Sequence, residues 1–447
     1  MSQSTKYAVN RRRFIASAAI SAPLVMTGRS RGANERSAND RIQVGVIGLG
    51  SRGYNLVDDL IHHSDRAQIV AVCDVDQKHH RDREWGKGNA FGLLPGKKKI
   101  ESAYRAKETT AAIATYTDYR ELLARDDVDA VVIATPDHWH ARCTLDALQS
   151  GKDVYCEKPV THLFAEGQRV YQEVAKQQAV FQTGSQQRSD WRFRRAAELV
   201  RNGLLGEIRE FHVGLPPGYD KPQGSTEIVE TPETLDYGFW CGPAPLLPYM
   251  RARHHRWWRG HRAFGGGVLM DWIGHHNDIA HWAIGVDQSG PQRVEAVDWT
   301  FPEGDDYNTP HQYTIRCEYD ADIQSTISSR NEQGVRLIGS DGWAYVRRGK
   351  LQASDPRWTK ESFVPGEQTA YKSDNHMGNF LDCVRTRKSC IAPAETAHRS
   401  ITPGHLGYVS QSLGRALQWD AENESVIDDE EANKLLHSVE YRQPWTF

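Results

Sequence analysis

The segment IQVGVI, Ile42 to Ile47, is almost wholly apolar. A short run with so little alternation predicts a strand buried on both faces of a parallel sheet. Gly48-Leu49-Gly50-Ser51-Arg52-Gly53 follows at once. From 54 to 62 the period changes, and Leu56, Val57, Leu60 and Ile61 fall on one side of a helix. The segment AQIVAVCDVD then gives a second apolar strand ending at Asp74. Further on, the pattern predicts a helix around 119–124, a strand at 130–134, a loop and helix over 140–149, and a strand at 153–156. Residues 79–110 are longer and more polar than a crossover needs, and read as a helix plus a surface insertion. Strand and helix in alternation predict a doubly wound parallel α/β sheet. Ligands of such sheets lie beyond the carboxyl ends of the strands.

The order strand, G-x-G-x-x-G, helix, strand, acid points to a dinucleotide site, with Asp74 standing 21 residues after Gly53. Gly48 permits the tight turn, Gly50 lets the backbone approach a pyrophosphate, and Gly53 lets the helix pack close to the sheet. The helix start, with Ser51 and Arg52, presents free N–H groups to phosphates. Asp74 can accept from the ribose hydroxyls. A carboxylate there repels a 2′-phosphate, so NAD is favoured over NADP, a preference that Arg52 softens. Thr135-Pro136-Asp137-His138 and Glu157-Lys158-Pro159 stand at further strand ends.

Composition narrows the picture. A chain of 447 residues suggests two domains and a tail, and 39% hydrophobic with 25% charged residues predicts a packed core. A net charge of −3 gives no basic field for nucleic acid or an anionic membrane. Seven cysteines without a C-x-x-C pair are not a disulfide scaffold, although Cys383 and Cys390 could pair in an oxidising compartment. Arg11-Arg12-Arg13, Phe14-Ile15, a weakly apolar stretch and small residues near Gly32-Ala33 read as a signal peptide over residues 1–38. The RR-x-F-I arrangement resembles a twin-arginine signal; the alternative is an ordinary basic arm. The expectation is export to the periplasm, with no membrane association after signal removal, since no internal apolar run approaches the roughly 20 residues a spanning helix needs.

The motifs GVIGLGSRG, ATPDHWH and EKPV, in that order, resemble the glucose–fructose oxidoreductase, inositol dehydrogenase and MocA (Gfo/Idh/MocA) family. The segment GGGVLMDWIGHHNDIAHWAIG at 265–285 is similar to its second signature, glycines followed by D-x3-H-x2-D, and HMGNFLDCVRTRK at 376–388 to its C-terminal helix. The resemblance spans residues 41 to about 420. It implies a nucleotide-binding domain over 39–163 and, over 164–447, an α+β domain on a large, open, mostly antiparallel sheet that makes a homo-oligomer contact. It implies a sugar, cyclitol or polyol substrate and tightly held NAD. It also implies that Lys158 reaches both substrate hydroxyl and nicotinamide, and that the loop of Thr135, Pro136, His138 and His140 lies near the nicotinamide ribose, with Glu157 beside it.

Asp271, His275 and Asp278 fall at i, i+4 and i+7 of a predicted helix and share one face. His276 is turned roughly 100° away. A histidine titrating near neutrality is a natural general base for a hydroxyl proton, so His275 is assigned that role, with Asp271 orienting it or binding a substrate hydroxyl. A capping and salt-bridge face, or a metal site, are the alternatives. His138 and His140 also have ligand-type spacing, but no third partner is evident, and no metal is expected. Tyr237, Phe239, Trp240, Trp257 and Trp258 form either a sugar-stacking wall or an interface or core patch. Arg188, Arg192, Arg194 and Arg195 either reach an anionic substrate or lie on a solvated helix face. The sum is an exported NAD-dependent oxidoreductase of sugar or polyol hydroxyls. An NAD-dependent glycosidase acting by transient oxidation and elimination is the second reading, and a sugar-binding protein without catalysis the third.

Overall fold

A computed structural model describes residues 41–82, 87–107 and 112–447. The expected signal segment, 1–38, lies outside the described residues. The first sheet has six strands, all parallel, ordered Ala114–Tyr116, Ala67–Cys73, Ile42–Ile47, Ala130–Ile133, Asp153–Cys156 and Phe181–Thr183. Val44, Val46, Ile69, Val131 and Val132 are fully buried, which is why these strands show so little alternation. The order reverses beside Ile42–Ile47, so the crevice of a doubly wound sheet opens at its carboxyl end.

Three boundaries differ from expectation. The first helix is Ser51–His62, starting inside the glycine motif. The helix expected from His140 begins at Asp137, so His138 and His140 stand on its first turns and not in a loop. The nucleotide-binding domain does not end at 163, because the helix Phe164–Gln177 and the strand Phe181–Thr183 complete its sheet. Within 79–110 the described residues form a two-strand ribbon, His79–His80 with Ala90–Phe91, followed by the helix Leu93–Ala106.

The second sheet has nine strands and is antiparallel, except that Ile208–Gly214 runs parallel to Gln324–Ser328. The helices Trp191–Arg201, Gly267–Ile284 and Ala394–Leu413 pack on it. Gly267–Ile284 is buried nearly all round, its polar residues His275, His276, Asn277, Asp278 and His281 included, because its neighbours enclose it. Among the described residues no helix is long and apolar enough to cross a membrane. All seven cysteines are buried thiols, Cys383 and Cys390 included.

Arg188 fastens that central helix. Its Nε donates to Asp278 Oδ2 at 2.7 Å and its Nη2 to Asp278 Oδ1 at 2.9 Å, with a further bond to Asp287 at 2.6 Å. Arg188 and Asp278 are 3% and 1% exposed. They therefore form no solvated face, and neither lines the cleft at the carboxyl ends of the first sheet: two charges this deeply buried persist only because each neutralises the other. Asp278→Ala leaves Arg188 short of a partner and is expected to cost about 3 kcal/mol of stability. Thermal unfolding against the half-buried Arg192→Ala control checks this. Unchanged unfolding with lost substrate binding would restore the substrate-contact role.

Candidate active site

A cleft runs along the carboxyl ends of the first sheet and is closed by the 239–271 region of the second domain. At one end is the glycine turn. Gly48 has φ +93°, and a Cβ there would sit 2.7 Å from the carbonyl of Ala134; a Cβ on Gly53 would overlap the Gly48 carbonyl oxygen. A Cβ on Gly50 meets nothing within 4 Å, because that position faces the open cleft. Gly50 also caps the helix Ser51–His62 without any side-chain bond, which leaves the first-turn N–H groups to a ligand.

Asp74 holds this turn in place. Its Oδ2 accepts from the Leu49 N–H at 2.6 Å and its Oδ1 from the Asp76 N–H at 2.9 Å. Burial pushes its carboxyl up, and the two N–H bonds oppose that shift. It still lines the cleft with acceptor capacity to spare. Arg52 Nε donates to Glu157 Oε1 at 2.8 Å, linking the glycine motif to the Glu157-Lys158-Pro159 turn. Arg52 Nη2, Tyr54 Oη and Thr135 Oγ1 are buried polar atoms without a hydrogen-bond partner, and all three residues line the cleft. Unsatisfied donors beside a glycine cradle and a ribose-type carboxylate fit a nicotinamide dinucleotide.

Ser51, Pro136 and His140 also line the cleft. His140 is committed to structure: Nδ1 lies 2.7 Å from the Pro159 carbonyl and Nε2 3.0 Å from that of Thr135. His138 does not reach the cleft. Its two nitrogens lie 3.1 and 2.9 Å from the carbonyls of Phe264 and Trp240, and burial lowers its pKa to about 4. The predicted cofactor contact at His138 is thus corrected, because the helix begins at Asp137 and turns His138 into the domain junction.

The other end of the cleft is charged. Lys158 Nζ donates to Asp271 Oδ1 at 2.5 Å and to its carbonyl at 3.0 Å, while Arg259 Nε lies 3.2 Å from the same Oδ1. Burial works against the Asp271 carboxylate, but Arg259 and Lys158 outweigh it and hold the group far below the usual range. Asp137 stands next to them, its Oδ2 accepting from the Gly266 N–H at 3.4 Å. Burial raises its pKa to about 7, with Arg259 opposing and Asp271 reinforcing the shift. Asp137 and Arg259 escaped the sequence reading. Asp137 stood inside the quoted TPDHWH motif; its signal was a carboxylate at a strand's carboxyl end.

His275 is one turn from Asp271 but buried and not on the cleft wall. Burial, then Lys158 and Arg348, push its pKa well below 6.5, so the expected titration near neutrality does not occur. Its Nδ1 is a buried nitrogen without a hydrogen-bond partner. His276 is bonded to the Gly214 carbonyl at 2.7 Å. Of the aromatic candidates, Phe239, Trp240 and Trp258 line the cleft; Tyr237 and Trp257 do not, Tyr237 belonging to a buried cluster with Leu235, Cys241 and Phe264 and Trp257 stacking edgewise on Tyr219.

Comparison with known proteins agrees with this geometry. The model for the oxidoreductase family's NAD-binding Rossmann fold matches residues 42–185, and that for its C-terminal alpha/beta domain matches 191–447. The chain is 28% identical over 169 residues to an alpha-N-acetylgalactosaminidase of Shewanella oneidensis, a match covering 37% of this chain and 33% of that protein. It is 32% identical over 121 residues to a glycosyl hydrolase family 109 protein of a Shewanella species, covering 27% and 23%. The chain thus spans a third or less of the length of these curated relatives. Two solved structures share the fold over 85% of the chain. The WlbA dehydrogenase of Bordetella pertussis, in complex with NADH and UDP-GlcNAcA, has TM-score 0.59, 18% identity and 99% of its own chain covered. An aldose-aldose oxidoreductase of Caulobacter crescentus has TM-score 0.58, 17% identity and 100% covered. With both domains matched in order, and the glycine cradle and Lys158 brought together in one cleft, the chain belongs to the Gfo/Idh/MocA oxidoreductase family.

Proposed function

We propose that this protein transfers hydride between a hydroxyl-bearing carbon of a sugar or polyol and nicotinamide. The observation that carries the reading is the joining of two features in one cleft: a dinucleotide cradle, and a lysine–carboxylate cluster in which Asp137 titrates near neutrality. Bound NAD supplies the hydride acceptor. The Lys158 ammonium, pinned by Asp271, donates a hydrogen bond to the reacting hydroxyl oxygen and favours its loss of a proton. Asp137, as carboxylate, takes that proton; a base of pKa about 7 is matched to neutral pH. His275, buried behind the cleft wall, stays neutral and takes no proton from the substrate. Phe239, Trp240 and Trp258 supply apolar faces on which sugar C–H edges pack.

A second reading rests on the curated relatives, which are named as glycosidases. There the same groups would serve transient oxidation and elimination, with no net redox change. We further propose export by the twin-arginine route, supported by RR-x-F-I at 11–15. Self-association through the nine-strand sheet is likewise a proposal; the strand Arg293–Thr300 alternates buried Val294 with half-buried Arg293 and Glu295.

Two measurements test the chemistry. In the oxidation direction the rate should rise as pH passes about 7, where Asp137 loses its proton. Asp137→Asn should remove that limb and lower turnover roughly 100-fold or more. A limb that persists in the variant assigns the base elsewhere. Separately, free sugars and polyols should produce net reduced nicotinamide. Release of nitrophenol from a nitrophenyl α-N-acetylgalactosaminide, with no net reduced cofactor, would replace the main reading with the second.

A further inference from the structure

A second cluster of ligand-type side chains lies at the mouth of the cleft, away from Lys158. Asp76 follows the strand Ala67–Cys73, His79 opens the ribbon strand His79–His80, and His255 comes from the second domain at the start of the turn His255–Gly260. His79 Nδ1 and His255 Nε2 each lie 3.2 Å from the same oxygen, Asp76 Oδ2. The three donor atoms fall within 4.8 Å of one another. Asp76 Oδ1 accepts from the Lys78 N–H at 3.1 Å, which fixes the carboxylate and leaves Oδ2 to the imidazoles. The two rings stack 3.6 Å apart, with Phe91 on the other side of His79.

Simple hydrogen bonding accounts for this arrangement incompletely. His79 Nδ1 is buried and, despite its nearness to Asp76, not aligned for a hydrogen bond. His255 adopts φ +47°, in the left-handed region that a non-glycine residue enters at a cost. The surrounding structure therefore holds this imidazole on Asp76 against its backbone preference. Ligand atoms about 2.0–2.1 Å from a tetrahedral ion stand about 3.3 Å apart. The two measured nitrogen-to-oxygen separations are 3.2 Å.

We propose that Asp76, His79 and His255 form a divalent-cation site of the zinc class, clasping the two domains together at the mouth of the cleft. Two imidazoles and one carboxylate suit zinc and its neighbours in the first transition row; calcium and magnesium prefer all-oxygen sets. Three protein ligands leave one position for water or an anion from the cleft, which all three residues line. The site shares no residue with the Lys158–Asp271 cluster.

The test uses full-length purified protein, stripped with chelator and free of added nucleotide, titrated with Zn2+ by calorimetry and with Co2+ by visible absorption. The expected result is one equivalent of tight Zn2+, and Co2+ bands of tetrahedral strength. His79→Gln and His255→Gln should each weaken that equivalent roughly 100-fold or more, while His261→Ala, which does not line the cleft, should keep it. Circular dichroism confirms that each variant is folded. Absence of the equivalent in the wild type overturns the proposal, as does its persistence in both folded glutamine variants. A bare His–Asp–His hydrogen-bonded clasp would give that first result. Because the readout is metal binding and not turnover, and no residue is shared with the Lys158–Asp271 cluster, neither failure bears on the hydride-transfer reading.

Discussion

The ammonium of Lys158 against the carboxylate of Asp271 joins the two domains at the proposed reaction centre. Lys158 stands at the end of a parallel strand; Asp271 stands on a helix of the second domain, 2.5 Å away. Both are largely buried, so neither charge is tolerable alone. Arg259 adds a second cation to the same oxygen. That surplus of positive charge keeps Asp271 ionised and pins the amine in one place. Next to it, Asp137 has only partial compensation, and burial wins there. Two carboxylates in one cleft are thus driven in opposite directions, the arrangement that separates an electrostatic anchor from a proton carrier.

The rest of the fold serves this geometry. The parallel sheet delivers the glycine turn, Asp74, Thr135 and Lys158 to one edge, because all its strands point the same way. Arg52 ties the glycine turn to Glu157, so a hydrogen bond links the cofactor cradle to the turn that carries Lys158. The second domain supplies Asp271 from a helix enclosed by its neighbours and locked by Arg188–Asp278. The aromatic residues near 240 and 258 build a small core of their own and expose a few edges to the cleft.

Much of this was legible in the sequence. Strand, glycines, helix, strand and acid occupy one short stretch, and local periodicity suffices to read them. Lys158 and Asp271 were legible through motif resemblance, and their contact follows from the topology. What stayed hidden depends on burial and on long-range approach. His275 was read as a base from its helical spacing, yet spacing carries no information on desolvation, which lowers its pKa. Arg188 read either as a contact to an anionic substrate or as a solvated cation within an arginine-rich stretch; only its tertiary partner Asp278 explains its burial. The pair His79 and His255 is far apart in the chain, so no spacing rule finds it. The later domain boundary was missed because the helix Phe164–Gln177 and its short strand read equally well as the start of a new domain.

The central claim is that this cleft holds a nicotinamide dinucleotide and uses it. The most direct measurement is to purify the protein without added cofactor, denature it, and identify by mass spectrometry the small molecule released. The account predicts NAD in near-stoichiometric amount, with little NADP because the Asp74 carboxylate on the cleft wall would repel a 2′-phosphate. Release of no nucleotide, together with no NAD binding by the folded protein in titration, would contradict it.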